Sequence, residues 1–137
     1  VMAAAVADWR VEGATTLHKL KKDAGGPPVL RLAENPDILS RIAQRGNDRP
    51  PLVIGFAAET DEVVENARLK LKRKRCDWIL ANDVSPGTGT FGGDRNTIHL
   101  VEAAGVEDWP AMTKREVASR LANRIAGSLA HPPPRSS

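Results

Sequence analysis

The sequence predicts an α/β protein, a sheet of buried strands with helices packed against it, and three observations carry that prediction. Leu52-Val53-Ile54 is an apolar run set between Pro50-Pro51 and Gly55, the pattern of a strand covered on both faces. Val63, Ala67 and Leu71 then fall four residues apart, on one face of a helix. Trp78-Ile79-Leu80-Ala81 follows as a second buried run. Strand, helix and strand in that order make a βαβ unit, around which the rest of the chain is organised.

Val1 to Ala7, an apolar run of small residues too short for a stable helix, is expected as a strand that places Asp8 at its carboxyl end. Val11 to Pro28 lacks periodicity and carries His18-Lys19-Leu20-Lys21-Lys22, which suits a mobile flap better than a packed element. Val29 to Leu32 reads as a short strand. Asn35 then suits an N-cap and Pro36 a first helical residue, for a helix through Gln44 with Ile38, Leu39 and Ile42 inward. Phe56, Ala57 and Ala58 lead from the central strand to a turn, and Thr60 is the expected cap of the organising helix. That helix opens with Asp61, Glu62 and Glu65 and closes with Lys70, Lys72, Arg73, Lys74 and Arg75. The order complements the helix dipole. Lys70 and Lys74, four apart and beside the apolar stripe, form a pair able to reach a polyanion.

Asn82 to Ser85 lies at the carboxyl end of the next strand, and Pro86 to Asp94 reads as a surface loop. Thr97 to Val101 is expected as a strand, and Gly105 turns the chain into a short return near Val106 to Pro110. Thr113 with Glu116 three residues on is a capping box for a closing helix carrying Val117, Leu121 and Ile125. The tail from His131 to Ser137 has nothing to bury and is expected to be disordered, leaving one domain over residues 1–130.

Composition narrows the function. A net charge of +3 permits an anionic partner, but acids and bases interleave and only 4% of residues are aromatic, which disfavours a nucleic-acid surface. The single cysteine, Cys76, excludes a disulfide framework and fits a reducing cytoplasm, and its position suits packing rather than nucleophilic catalysis. His18, His99 and His131 show no metal-ligand spacing, and no apolar run is long enough to span a membrane.

Taken together, the stretches Ala3-Ala4-Ala5-Val6-Ala7-Asp8-Trp9-Arg10, Lys19-Leu20-Lys21-Lys22, Asn35-Pro36-Asp37-Ile38, Gly55-Phe56-Ala57-Ala58-Glu59-Thr60 and Ala81-Asn82-Asp83-Val84-Ser85 resemble the bacterial phosphopantothenate–cysteine ligases. These commonly form the C-terminal half of a bifunctional protein whose other half is an FMN-dependent decarboxylase. The resemblance implies a Rossmann-like three-layer sheet with helices on both faces. It also implies coenzyme A biosynthesis: CTP, with Mg2+, activates the carboxylate of 4′-phosphopantothenate as an acyl-cytidylate, and the amine of cysteine displaces CMP. A cytoplasmic homodimer is implied as well.

Carried over by position, Met2, Ala3 and Ala4 resemble the strand end lining the cytidine site, and Asp8 the acid that binds the nucleotide. Pro36, Asp37, Ile38 and Leu39 resemble the segment cupping base and ribose. Phe56 resembles the aromatic wall, Lys70 and Lys74 the triphosphate ligands, and Lys19 the catalytic flap lysine. The family's glycine-rich N-terminal segment has no counterpart in this sequence, so an incomplete active site is expected. The alternative is a non-catalytic nucleotide-binding or dimerisation fragment of the same protein.

Overall fold

Six strands and three helices follow one another among the residues described by a computed structural model, which are 1–3, 6–13, 29–85 and 95–131. They belong to two compact units, one of Ala4–Ile38 and one of Val1–Ala3 with Leu39–Ser137.

The smaller unit is a two-stranded antiparallel ribbon of β1 (Trp9–Val11) and β2 (Leu32–Glu34). Its second strand starts three residues later than the sequence suggests. Asn35 is no helix cap here. Its backbone N–H donates to the Asp8 carbonyl (2.8 Å), its side-chain nitrogen donates to the Ala7 carbonyl (2.8 Å), and its Oδ1 accepts from Arg10 Nη1 (3.3 Å). Engaged in closing the ribbon, Asn35 directs its side chain to Ala7 and Arg10 rather than to a helix start. Helix α1 therefore begins late and ends early, at Ile38–Ala43.

No strand forms over Val1–Ala7 among its described residues. Alanine has a low strand propensity, and only Met2 pairs, as an isolated parallel bridge to Gly55 in which Met2 N donates to the Ile54 carbonyl (2.8 Å). Residues 4 and 5 lie outside the described part.

The larger unit is built on β3 (Ile54–Glu59), α2 (Val63–Lys74), β4 (Trp78–Asp83), β5 (Arg95–Glu102), β6 (Gly105–Thr113) and α3 (Lys114–Ala130). The sheet order is β3-β4-β5-β6, with β3 and β4 parallel and the other pairs antiparallel. Strand β3 starts two residues later than the apolar run because Val53 is held by a clasp. Asp77 Oδ2 accepts from Val53 N (2.6 Å) and from Arg49 Nη2 (2.8 Å), while the Val53 carbonyl accepts from the Asp77 and Trp78 backbone. At its far end β3 runs past the expected turn, since Phe56 to Glu59 ladder onto Leu80 to Asp83.

Thr60 does not cap α2. Its hydroxyl bonds Asp61, and the cap position falls to Glu62, which is left-handed (φ 43°) and makes no side-chain cap bond. Return strand β6 is longer than expected and ends at Thr113, the first residue of the predicted capping box.

Alternation along the strands sorts the core onto two faces. Val53, Ala57, Ile79, Ala81 and Val101 pack with Val63, Ala67 and Leu71 of α2 and with Leu39, Ile42 and Ala43 of α1. Ile54, Trp78, Leu80, Ile98, Leu100 and Trp109 pack with Val117, Leu121 and Ile125 of α3. The result is the expected three-layer, Rossmann-like α/β sheet. Gly55 serves this packing, because a Cβ there would meet Leu39 Cδ2 at 2.5 Å. Cys76 is buried, and burial pushes its thiol up to about 11, far from a reactive thiolate.

The capping box of α3 is complete: Thr113 Oγ1 accepts from Glu116 N (3.2 Å), and Glu116 Oε2 accepts from Thr113 N (2.7 Å). Thr113→Ala is expected to cost about 1 kcal/mol in urea unfolding. The Thr113 backbone and hydroxyl donors hold the Glu116 carboxyl below its usual 4.5. A depressed folded-state pKa stabilises the fold above the unfolded value and loses that contribution as pH falls through the folded one. The wild-type advantage over Thr113→Ala should therefore hold at pH 7 and shrink below pH 4.5. An unchanged difference at pH 3 would assign it to the Glu116 N–H bond to Thr113 Oγ1, which does not titrate.

Candidate functional site

The α2 side of the sheet changes from apolar to polar toward the carboxyl ends of β3 and β4. Ala57 and Ala81 are buried neighbours, but two residues on, Glu59 faces Asp83. Across the sheet His99 faces Ala81 on one side and Asp108 on the other. The carboxyl ends of parallel strands are where open α/β sheets receive ligands.

Lys70, Asp83 and His99 each have a named partner there. Lys70 Nζ lies 3.8 Å from Glu59 Oε1, its side chain directed back along α2 toward the strand end. Lys74 is one turn further along and also half-buried. Asp83 Oδ1 accepts from the Ser85 hydroxyl (2.6 Å) and the Ser85 backbone N–H (2.9 Å). Those two donors hold the Asp83 carboxyl below its usual range, and the nearby His99 adds to the effect. His99 Nδ1 lies 2.6 Å from Asp108 Oδ1. Asn82 Oδ1 is buried with no partner among the described residues.

Phe56 points the other way. It packs on the α3 face, beside a cavity of about 400 Å³ lined by Asn96, Lys114, Val117, Leu121 and Ile125. The structure thus brings Lys70 and Lys74 together on the α2 side and sets Phe56 on the opposite face. Leu39 packs into the α2-face core, and Met2 is fixed through its backbone to β3. A second cavity of about 450 Å³, between Leu52, Trp78, Glu102 and Arg124, lies at the amino ends of the strands, away from these groups.

In the smaller unit Asp8, Pro36, Asp37 and Ile38 are exposed, and Asn35 fixes the backbone on both sides of that set through Ala7 and Asp8. Ala4, Lys19, Lys21 and Lys22 lie outside the described residues, as do residues 14–28 of the expected flap and 132–137 of the tail; Val11, expected at the start of the flap, is instead the last residue of β1. Sequence reasoning missed Glu59, Asp83 and the His99–Asp108 pair. Their signal was the strand register, which spacing along the chain does not display. Among the described residues no three His, Cys, Asp or Glu side chains converge to hold a metal, and no helix is long and apolar enough to cross a membrane.

Comparison with known proteins gives a consistent result. Residues 1–129 match the family model of the DNA/pantothenate metabolism flavoprotein C-terminal domain. The chain is 40% identical over 124 residues to the coenzyme A biosynthesis bifunctional protein CoaBC of Escherichia coli K12, covering 89% of this chain and 30% of that protein. It is 38% identical to the CoaBC protein of Mycobacterium bovis, covering 95% and 33%. The crystal structure of the C-terminal domain of a CoaBC protein superposes with a TM-score of 0.65 at 31% identity, over 93% of this chain and 52% of that one. The chain therefore spans about a third of the length of these curated relatives.

Proposed function

Because the chain belongs to the family of the DNA/pantothenate metabolism flavoprotein C-terminal domain, we propose that it forms part of a CTP-dependent acid–amine ligase of coenzyme A biosynthesis. In this reading CTP activates the carboxylate of 4′-phosphopantothenate as an acyl-cytidylate with release of pyrophosphate, and the amine of cysteine displaces CMP. The observation that carries it is the polar carboxyl edge of β3 and β4 with Lys70 and Lys74 along the adjoining helix. Attack by a carboxylate on the α-phosphate brings two anions together, so neutralisation and alignment do most of the work. Two ammonium groups on one helix face suit the β- and γ-phosphates. Magnesium would arrive with the triphosphate, in keeping with its preference for phosphate oxygens and water over an all-protein cage.

Asp8 and Asp37 would receive ribose and base, and Lys19 would stabilise charge at the acyl phosphate. A cytoplasmic location and a homodimer accompany the proposal, the dimer supported by the ribbon: Trp9 (54% exposed) shares one face with the paired Val11 and Leu32 (58%), and that face suits a second copy. The second reading, a nucleotide-binding fragment without turnover, would keep the lysines but not the reaction.

The deciding experiment is thermal unfolding with Mg2+ and CTP, against ATP, GTP and UTP at equal concentration. A ligand bound only by the folded state raises apparent stability by about 2.7 kcal/mol at a hundred times its Kd. A shift selective for CTP supports the proposal, and equal shifts with all four reject the cytidine assignment. Pyrophosphate release dependent on 4′-phosphopantothenate, in the longer polypeptide carrying this chain, separates ligase from passive binder.

A further inference from the structure

The polar edge holds groups that triphosphate binding does not use. Glu59 is engaged by Lys70, but Asp83, Ser85, His99 and Asp108 form a second cluster on the same face. The two-residue turn of Ala103-Ala104 sets the β5–β6 register, so that Glu102 faces Gly105 and His99 faces Asp108. Asp83 stands two residues beyond Ala81, the β4 neighbour of His99, and side chains in that diagonal relation lie roughly 7–8 Å apart.

The chemistry of this cluster differs from that of the lysines. A carboxylate beside Nδ1 accepts a hydrogen bond from the Nδ1–H, which fixes the tautomer and turns a lone pair outward at Nε2. Among the described residues Nε2 has no hydrogen-bond partner, and the His99 side chain is 21% exposed, open enough to be reached. Asp83, held charged by two Ser85 donors, puts a negative group beside that base. An anion next to an oriented proton acceptor is what a primary ammonium requires: something to hold it and something to deprotonate it.

We propose that this cluster is the amine pole of the ligase site, with Asp83 holding the ammonium of the incoming amino acid and His99 Nε2 acting as its proton acceptor. The inference rests on the ligase reading above and assigns its second step. His99 takes one proton from the ammonium and frees the nitrogen lone pair. That nitrogen attacks the acyl carbon of the acyl-cytidylate, and the C–N bond forms. The bond from acyl carbon to phosphate oxygen breaks, and CMP leaves with the bonding electrons. The excess proton on nitrogen passes to solvent. Asp108 is a positioning residue, acting only through the imidazole.

The test separates the two half-reactions in the longer polypeptide that carries this chain. His99→Gln should leave CTP-dependent pyrophosphate release in the absence of cysteine within about twofold of wild type, while slowing amide formation from cysteine by 10²-fold or more. Asp108→Asn should slow only the second step, and by less. Hydroxylamine, a nucleophile already unprotonated at neutral pH, should trap the acyl-cytidylate equally well in wild type and His99→Gln; a misfolded or merely loosened site would not show that pattern. Amide formation from cysteine at the wild-type rate in His99→Gln overturns the assignment and leaves the pair as an edge-strand ion pair. Equal slowing of both half-reactions, or of both nucleophiles, overturns it also. If wild type itself releases no pyrophosphate, the ligase reading fails, and this inference with it.

Discussion

Leu80→Ala is expected to lower the stability of the larger unit by about 2–5 kcal/mol, a large share of the 5–15 kcal/mol typical of a domain. Leu80 is fully buried at the centre of β4, paired with Phe56 on one side and Leu100 on the other, with no solvent to fill the space left by its side chain. The surrounding ladder fixes the backbone on both sides, so collapse into the cavity is limited and the cost belongs toward the upper part of that range. Urea denaturation followed through tryptophan fluorescence measures it, because Trp78 and Trp109 share the Leu80 core. The control is Leu69→Ala on the outer face of α2, where a residue 56% exposed should cost less than about 0.5 kcal/mol. Equal losses at the two sites would contradict the buried-layer description.

The second large effect concerns ligand affinity. Lys70→Ala should weaken CTP binding about ten- to a hundredfold, the range for losing a charge-assisted hydrogen bond of roughly 1.5–3 kcal/mol. It should weaken CMP binding far less, since a monophosphate lacks the groups assigned to this lysine. Part of the effect passes through Glu59: without the ammonium 3.8 Å away, that carboxylate faces the incoming phosphates uncompensated. Lys74→Ala should act in the same direction, while Arg73→Ala, exposed at the adjacent position, should stay within about twofold. Calorimetric titration with both nucleotides checks this. Loss of CMP and CTP affinity in equal proportion would move Lys70 away from the triphosphate.

What the sequence disclosed depended on the range of the interaction. The α3 capping box was legible to the residue because Thr113 and Glu116 act within one turn. The α2 stripe was legible for the same reason, its period being a property of the helix alone. The start of β3 was not: Leu52-Val53-Ile54 is uniformly apolar, and only Asp77, 24 residues away, removes Val53 from the ladder. Asn35 has the chemistry of a cap, but Ala7 and Asp8 compete for it. Among candidate site residues the spacing of Lys70 and Lys74 correctly gave a shared helix side. Phe56 could not be assigned a face until the strand was known to run from Ile54, which fixes the alternation. The His99–Asp108 pair depends on a hairpin register that a one-residue change in the turn would abolish.

The clasp of Arg49, Val53 and Asp77 lies at the amino ends of β3 and β4, and Glu59 and Asp83 of the polar edge lie at the opposite ends of the same strands. Sequence change is therefore free to act on the two ends separately. Lineages under thermal pressure can rebuild the clasp, and laboratory selections for robustness can target it, with substrate discrimination left as it was. Conversely, the reactive edge can drift toward a new amine or a new nucleotide while the clasp absorbs the cost, the condition under which a fold stays evolvable.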